Sequence, residues 1–517
     1  MSPGPETRSR TTASSLIRDA VHVYQDDPVA VNILEGHARR LDEPLRIAVA
    51  GMVKAGKSTL INAILGEDIA PTDAGECTRT VTWYRYGDNP RATVYPIVGE
   101  PRSLPVDHAG GRASFDLAGV RTEEVERVVV EWPAESLRDV TLIDTPGIAS
   151  LSGGISERSN RFLIPEDGSS EADAIIYVLR HLHQADLAFL KSFRDNAGAQ
   201  SLPVNALAVL SRADELGAGR IESLLTARDI ARRYRNDETL RSLAIGVLPV
   251  AGRLAQTART LQQPELDALA ELARLDRNEQ KRLLMSADRF VHARVTAAGS
   301  PEGRAALLDR FGLFGIRLAT VLIQSGFSEV EPLARELARR SGLDDLLGLI
   351  ATQFRVRDAQ LKARAAIAGV ETLLHQRPHP GTDALAATVE RIVAEAHEFR
   401  ELRLLATAHT SGIALDPELA AEMLRLVGSE GISPAQRLGL HPDAPHTEVR
   451  SQALSQVQRW RVRAESPLTD RATAELCRIV VRSCEGILDQ THDGSGARST
   501  TPLLLGAKPG AGPRKQA

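Results

Sequence analysis

The segment Gly51-Met-Val-Lys54-Ala-Gly56-Lys57-Ser58 constrains this chain more than any other. It matches the pattern G-x-x-x-x-G-K-[ST] and stands between two apolar runs, RIAVA from Arg46 and STLINAIL from Ser58. That context predicts a strand, a tight glycine-rich turn and a helix, with backbone N–H groups curled around a β-phosphate. Gly51 and Gly56 permit the close approach. Lys57 then bridges the β- and γ-phosphates, Ser58 offers its hydroxyl to Mg²⁺, Thr59 follows in the first turn beside the nucleotide, and the helix N-terminus favours negative charge. Composition sharpens the point. Of 63 basic residues only seven are lysines, and two of those, Lys54 and Lys57, lie three apart in this loop. A chain that writes Arg nearly everywhere keeps Lys where phosphates call for a compact ammonium.

The apolar runs that follow alternate with helical patterns as far as about Leu254. TVTWYRYG from Thr80, RVVVEWP from Arg127, DVTLID from Asp139, DAIIYVL from Asp173, NALAVLS from Asn205 and AIGVLPV from Ala244 read as strands. Continuous runs of this kind suit a mainly parallel sheet buried on both faces. The interval from Gly87 to Glu126, with its Gly and Pro punctuation, reads as an antiparallel extension. Upstream, two short amphipathic helices fit between Thr12 and Leu41, separated at Asp27-Pro28. After about Leu266 the strand signal disappears. Ser328-x-x-Glu331 reads as a capping box opening a helix that ends near Gly342. Residues 343–374 fit one long helix or two in line, and further helices are expected at 384–408, 417–427, 447–465 and 468–489. The expected organisation is therefore disorder at 1–11, helices at 12–42, an α/β nucleotide domain at 43–300, a helical bundle at 301–490 and a disordered tail at 491–517.

Several function classes are excluded at this level. Residues 301–490 carry 23 basic and 25 acidic side chains, which leaves no electrostatic footprint for RNA and counts against a soluble switch in ribosome assembly. Three cysteines cannot build a disulfide framework or a four-ligand zinc site, and Cys477 and Cys484 read as buried packing. No apolar run is long enough to span a bilayer, and the first fifteen residues lack a signal-peptide core. The expected location is the cytoplasm, with peripheral attachment to the inner face of the membrane as a second option. Trp460, flanked by Arg459 and Arg461, and Leu503-Leu504-Leu505 are two candidate lipid contacts; a core tryptophan is the plainer reading of the first. His181 and His183 have no partner at ligand spacing and read as surface or packing residues.

Two further motifs complete a nucleotide site. Asp144-Thr-Pro-Gly147 ends the strand VTLI, where a carboxylate can hold a water ligand of Mg²⁺ and the Gly147 N–H can sense a γ-phosphate. Ser211-Arg212-Ala213-Asp214 ends the strand NALAVL. A carboxylate there accepts from guanine N1–H and N2, a donor pair that adenine lacks, so Asp214 selects GTP. Arg212 stands where lysine is usual and can lay its stem and planar head along the base. Pro249-Val-Ala-Gly252 forms the rest of the base pocket.

With these motifs in place, the chain resembles the dynamin-like GTPase superfamily. EPLRIAVAGMVKAGKSTLINAILG, IAPTDAGECTRTVTW, LSRADELGAGRI and RFGLFGIR carry the likeness, which extends over nearly the whole chain except both tails. The resemblance implies an α/β P-loop GTPase domain joined by a neck to antiparallel helices, with the N-terminal helices packed against C-terminal ones. It implies Thr78 as the switch threonine that ligates Mg²⁺ beside Ser58 and Asp144, with Thr80 and Thr82 as rivals. It implies slow GTP hydrolysis, a homodimer across the nucleotide face, action on membrane lipid, and work beside a second dynamin-like GTPase under cell-envelope stress. Two positions depart from that pattern. Val53 and Lys54 stand where classical dynamins carry Gln and Ser, which position the attacking water and help hold a monovalent cation, so Lys54 is a candidate to supply the missing positive charge. A solvated Lys54 is the alternative. Ile148 likewise offers no glutamine of the kind that orients water in Ras-like switches. The same departures keep open a weakly catalytic GTP-binding partner of a more active paralogue.

Overall fold

The computed structural model describes residues 5–70, 80–104, 106–109, 112–114, 121–147, 162–163, 170–195, 205–295, 299–395, 397, 400–401, 404–405 and 415–492. Thr78, Ile148 and the Leu503–Leu505 patch lie outside them.

Among the described residues there are eleven strands, seven of them from the apolar runs. They are β1 (Leu45–Gly51), β2 (Val81–Tyr86), β3 (Arg91–Pro96), β4 (Arg102–Leu104), β5 (Asp107–Ala109), β6 (Arg112–Ser114), β7 (Val125–Trp132), β8 (Val140–Asp144), β9 (Ala174–Leu179), β10 (Ala206–Leu210) and β11 (Val247–Pro249). Nine make one sheet in the order β11-β10-β9-β1-β8-β2-β7-β3-β4, and β5 pairs only with β6. The half from β11 to β8 is wholly parallel. Every residue of β9 and β10 is buried, as expected of strands covered on both faces. Beyond β8 the sheet turns mixed: β2 runs antiparallel to β8 and parallel to β7, and β3 and β4 add antiparallel pairs. This is the extension expected from the Gly87–Glu126 punctuation. Register places Val49 beside Asp144 and Gly51 beside Val178, so the ends of β1, β8 and β9 open on one edge.

One face of the sheet shares an apolar cluster with the helices Pro301–Gln324 and Val330–Ser341, through Phe311, Phe314, Ile316, Leu333 and Leu337. The boundary expected at 300/301 thus falls inside a continuous core. The reason is local: Arg304, Phe311 and Leu318 bury one side of the helix Pro301–Gln324. Val330–Ser341 begins after Glu329, without a side-chain cap. The expected capping box at Ser328 does not form, because the helix starts one residue later than that box requires. It does end at Gly342, where φ is +83° and a Cβ would stand 2.4 Å from Pro249 O.

Residues 343–376 form two helices, Leu343–Leu349 and Asp358–Gln376, joined by a wide turn at Ile350–Phe354 and a tight one at Arg355–Arg357. The second helix receives the N-terminal pair, Pro5–Val23 and Pro28–Arg40, through Leu16, Ile17, Leu34, Ile367 and Val370. The first of these begins at Pro5, inside the stretch expected to be disordered; Ser9 is buried and Arg10 pairs with Asp42. Asp27 caps the second, accepting from Val29 N and Ala30 N, and Pro28 stands in its first turn. His37 lies directly on Gly369, and burial pushes its imidazole down to about 4.

A distal cluster joins Pro417–Leu426, His446–Glu465 and Arg471–His492. Trp460, 1% exposed, sits in its core with Cys477 and Cys484, which removes it as an interfacial aromatic. Among the described residues no helix is long and apolar enough to cross a membrane, and no group of three His, Cys, Asp or Glu side chains is arranged to hold a metal.

Candidate functional site

The glycine-rich loop opens where β1 ends. Gly51 has φ +149°, and a Cβ would meet Val178 O at 2.1 Å, so no other residue fits between the strands. Gly56 (φ +99°) turns the chain into the helix Lys57–Leu65. Between them Lys54 adopts φ +60°, a left-handed conformation that costs a side-chain-bearing residue about 1 kcal/mol. Lys57 is buried and folds back over the loop, its Nζ donating to Gly51 O at 3.2 Å and Met52 O at 3.3 Å. Burial holds its pKa below the ordinary lysine range, against the pull of Asp144.

Asp144 ends β8 directly below. It accepts from Ser58 Oγ at 2.9 Å. Burial pushes its carboxyl up to about 6 despite the Lys57 ammonium and the Ser58 hydroxyl. A buried carboxylate held this far above its usual range is short of positive charge, and Ser58 and Asp144 together present the oxygen donors that a hard divalent cation takes. The residues present therefore fit Mg²⁺. Gly147 packs on Val53: a Cβ there would fall 2.5 Å from Val53 Cγ2 and 2.8 Å from its Cα. The two segments can approach this closely only because position 147 has no side chain. Val53 itself remains 46% exposed at the rim of the loop.

The second half of the site is a small pocket beside this loop, lined by Gly56, Thr59, Arg212, Asp214, Gly252 and Arg253 among others. Asp214 is buried, and burial, more than any neighbour, raises its pKa. Arg212 has φ +51°; it and Lys54 are the only non-glycine residues with positive φ among those described. The two are bonded to each other. Arg212 Nη2 donates to Lys54 O at 3.2 Å while Nη1 holds Glu215 at 3.0 Å. Strained backbone at two loops, tied by one guanidinium, fixes the phosphate end relative to the pocket.

The site therefore brings together Gly51, Lys54, Gly56, Lys57, Ser58, Thr59, Asp144, Gly147, Arg212 and Asp214 along one edge of the sheet. A family model described as "Dynamin family" matches residues 47–206. The isoniazid-induced protein IniC of Mycobacterium tuberculosis is 43% identical over 449 residues, covering 87% of this chain and 91% of that protein. The chain belongs to the dynamin family. Its resemblance to other dynamin-like proteins is more local: the isoniazid-induced protein IniA of M. tuberculosis is 29% identical over 28% of this chain and 25% of its own length. A bacterial dynamin-like protein of Nostoc punctiforme is 32% identical over 20% and 16%.

Within this dynamin-family chain, sequence motifs located the loops but not every side chain that shapes them. Arg253 lines the pocket from the first turn of the helix Gly252–Arg259; its adjacency to Pro249–Gly252 was the available signal. Glu215, which holds Arg212, follows Asp214 directly. Also absent from the motifs is the tie from the pocket to the helices beyond. Ala251 N donates to Ser341 O at 2.9 Å, and Arg317 Nη1 donates to Gly219 O at 2.5 Å. His181 and His183 stand edge-to-face at 6.3 Å.

Proposed function

We propose that this dynamin-family chain binds GTP with Mg²⁺, hydrolyses it to GDP and phosphate, and transmits the nucleotide state to its helical region. The observation that carries this reading is the cluster of Lys57, Ser58 and Asp144 on the same edge as a pocket floored by Asp214. When bound, Mg²⁺ would neutralise charge on the phosphate oxygens. Lys57 would move from the Gly51 and Met52 carbonyls to the phosphates, Ser58 and Asp144 would hold the metal, and Gly147 would offer its N–H to the γ-phosphate. Thr78 is assigned by resemblance as the switch ligand. Asp214 accepts from the guanine edge while Arg212 keeps the base loop on the P-loop. Signal leaves by two routes: Ala251 to Ser341 and the close Gly342–Pro249 contact, and the bonds of Lys362 to Glu43 O and of Arg355 to Asp139 beneath β1 and β8.

The reading extends to peripheral action at membrane lipid on the inner face of the cell membrane, as a homodimer through the nucleotide face or an assembly with a paralogous dynamin-like GTPase. Sedimentation with anionic liposomes, with and without a non-hydrolysable GTP analogue, tests this together with GTP turnover. Nucleotide-dependent pelleting supports membrane work. Turnover near background with intact GTP binding, and no pelleting in any state, favours the weakly catalytic partner, a reading that the apolar Val53 at the loop rim supports.

Lys54 gives a separate expectation. If its ammonium supplies charge at the β–γ bridge, turnover is the same within about twofold in potassium, sodium and choline buffers, and Lys54→Ser is slower and gains potassium dependence. A wild-type rate that rises tenfold in potassium removes Lys54 from that role.

A further inference from the structure

The base pocket contains a second charged group that the guanine motif does not account for. Arg253 lines the pocket with Asp214, and its positive charge acts on that carboxylate. No hydrogen bond or ion pair ties its guanidinium to another described residue, in contrast to Arg212 across the pocket, which is committed to Lys54 O and Glu215. Its stem is nevertheless guided. The helix Pro301–Gln324 is broken at Gly312 (φ +63°, ψ 168°), and the Arg253 side chain runs along the break: a Cβ at position 312 would touch Arg253 Nη1 at 3.8 Å and Cδ at 3.9 Å. The broken helix is clasped on both sides. Arg310 bonds Glu265 and the Thr260 carbonyl before the break, and Arg317 bonds Gly219 O after it. Arg253 therefore rests along the break from Cδ to Nη1, with a guanidinium in no hydrogen bond or ion pair with a described residue, in the same pocket as the carboxylate that would read the base.

That pairing of charges matches one purine edge. From N2 to N7, guanine offers two donors, N2–H and N1–H, followed by two acceptors, O6 and N7. A carboxylate followed by a guanidinium is complementary to that order. Adenine presents an acceptor at N1 and a donor at N6, so it mismatches both groups. We propose that Arg253 is a second base-reading residue, donating to O6 and N7 of guanine while Asp214 accepts from N1–H and N2. This inference rests on the GTP reading above and assigns the other half of its specificity.

The test uses the full chain with Mg²⁺ and equilibrium binding of GTP, 7-deaza-GTP, ITP and ATP. 7-Deaza-GTP lacks the N7 acceptor; ITP keeps O6 and N7 but lacks the N2 amino group. Wild type is expected to bind 7-deaza-GTP about tenfold more weakly than GTP. Arg253→Ala should lose about tenfold for GTP and bind GTP and 7-deaza-GTP equally. Asp214→Asn should keep the 7-deaza penalty while losing its preference for GTP over ITP. Equal binding of GTP and 7-deaza-GTP by wild type overturns the assignment without any variant. So does an Arg253→Ala chain that retains the wild-type ratio. Absence of GTP binding by wild type overturns the nucleotide reading itself, a distinguishable result.

Discussion

Asp144→Asn is expected to raise the thermal stability of the nucleotide-free protein while abolishing Mg²⁺-dependent GTP turnover. The carboxyl titrates near 6 in the folded chain against an ordinary 3.8. Between those values the folded state holds more protons than the unfolded one, so stability falls as pH rises through the window. The penalty is fully present above pH 6 and is on the order of 3 kcal/mol. An asparagine keeps an oxygen to accept from Ser58 Oγ but carries no charge. It also leaves the Lys57 ammonium without its counter-charge, which offsets part of the gain. A net rise of about 1–2 kcal/mol, or a few degrees in Tm, is the expected result at pH 8. At pH 4 wild type and variant should melt together. Turnover with Mg²⁺ should fall at least about 100-fold, because the ligand sphere loses its anionic oxygen. Thermal scans at the two pH values, with turnover assays in parallel, check both halves. Identical melting at pH 8 would show that Asp144 carries no buried charge in the free protein. Mg²⁺ with nucleotide should remove the wild-type pH dependence, since the cation then supplies what burial took away.

The site was legible in the sequence to the extent that backbone geometry follows from residue type. Gly51 and Gly56 could be assigned to a phosphate loop because only glycine tolerates their φ values and the contact with Val178, and the flanking strand and helix are written in plain apolar periodicity. Asp144 and Asp214 could be singled out for a related reason: Asp144 ends the buried strand β8 and Asp214 lies in the loop just after the buried strand β10, where side chains converge on the sheet edge. What escaped was the work of long side chains across the fold. Arg253, Arg310 and Arg317 look like any of 56 arginines, and only packing shows that they gather around the break at Gly312. The extent of the core was hidden likewise, because an amphipathic helix states that one face is buried without saying against what. The pattern from Val330 to Ser341 is equally suited to a trunk or a sheet. Capping was the weakest signal: Ser328 and Glu331 have the right spacing, yet the helix begins at Val330. Trp460 was ambiguous because flanking arginines mark both lipid interfaces and the wet side of a core helix; burial decided for the core.

Arg304→Met is expected to produce the largest loss of stability of any single change outside the nucleotide loops. Arg304 is 1% exposed on the first turns of Pro301–Gln324. Its Nε donates to Phe290 O at 2.9 Å, Nη1 to Val295 O at 3.2 Å and Gly299 O at 2.6 Å, and Nη2 to Val291 O at 3.0 Å and Ala293 O at 2.8 Å. One guanidinium thus satisfies five carbonyls, those of Phe290 and Val291 in the helix Ala287–His292 and those of Ala293, Val295 and Gly299 after it. A methionine of similar length fills the volume but leaves those oxygens without donors, and an unsatisfied buried carbonyl costs about 1–3 kcal/mol. Relaxation and water will recover some of them, so a loss of about 4 kcal/mol or more is the expected value. Lysine is the informative control. Its three donors on one nitrogen cannot span the arc of five carbonyls, so Arg304→Lys should recover less than half of the loss. Because this helix carries the Gly312 break and the Arg317 bond to the base loop, GTP affinity of the folded variant should weaken as well, whereas Lys57 and Asp144 stay in place. Urea denaturation of the three chains, with nucleotide titration below the transition, measures both effects. A methionine variant within 1 kcal/mol of wild type would mean that the loop finds other donors and that Arg304 does not organise it.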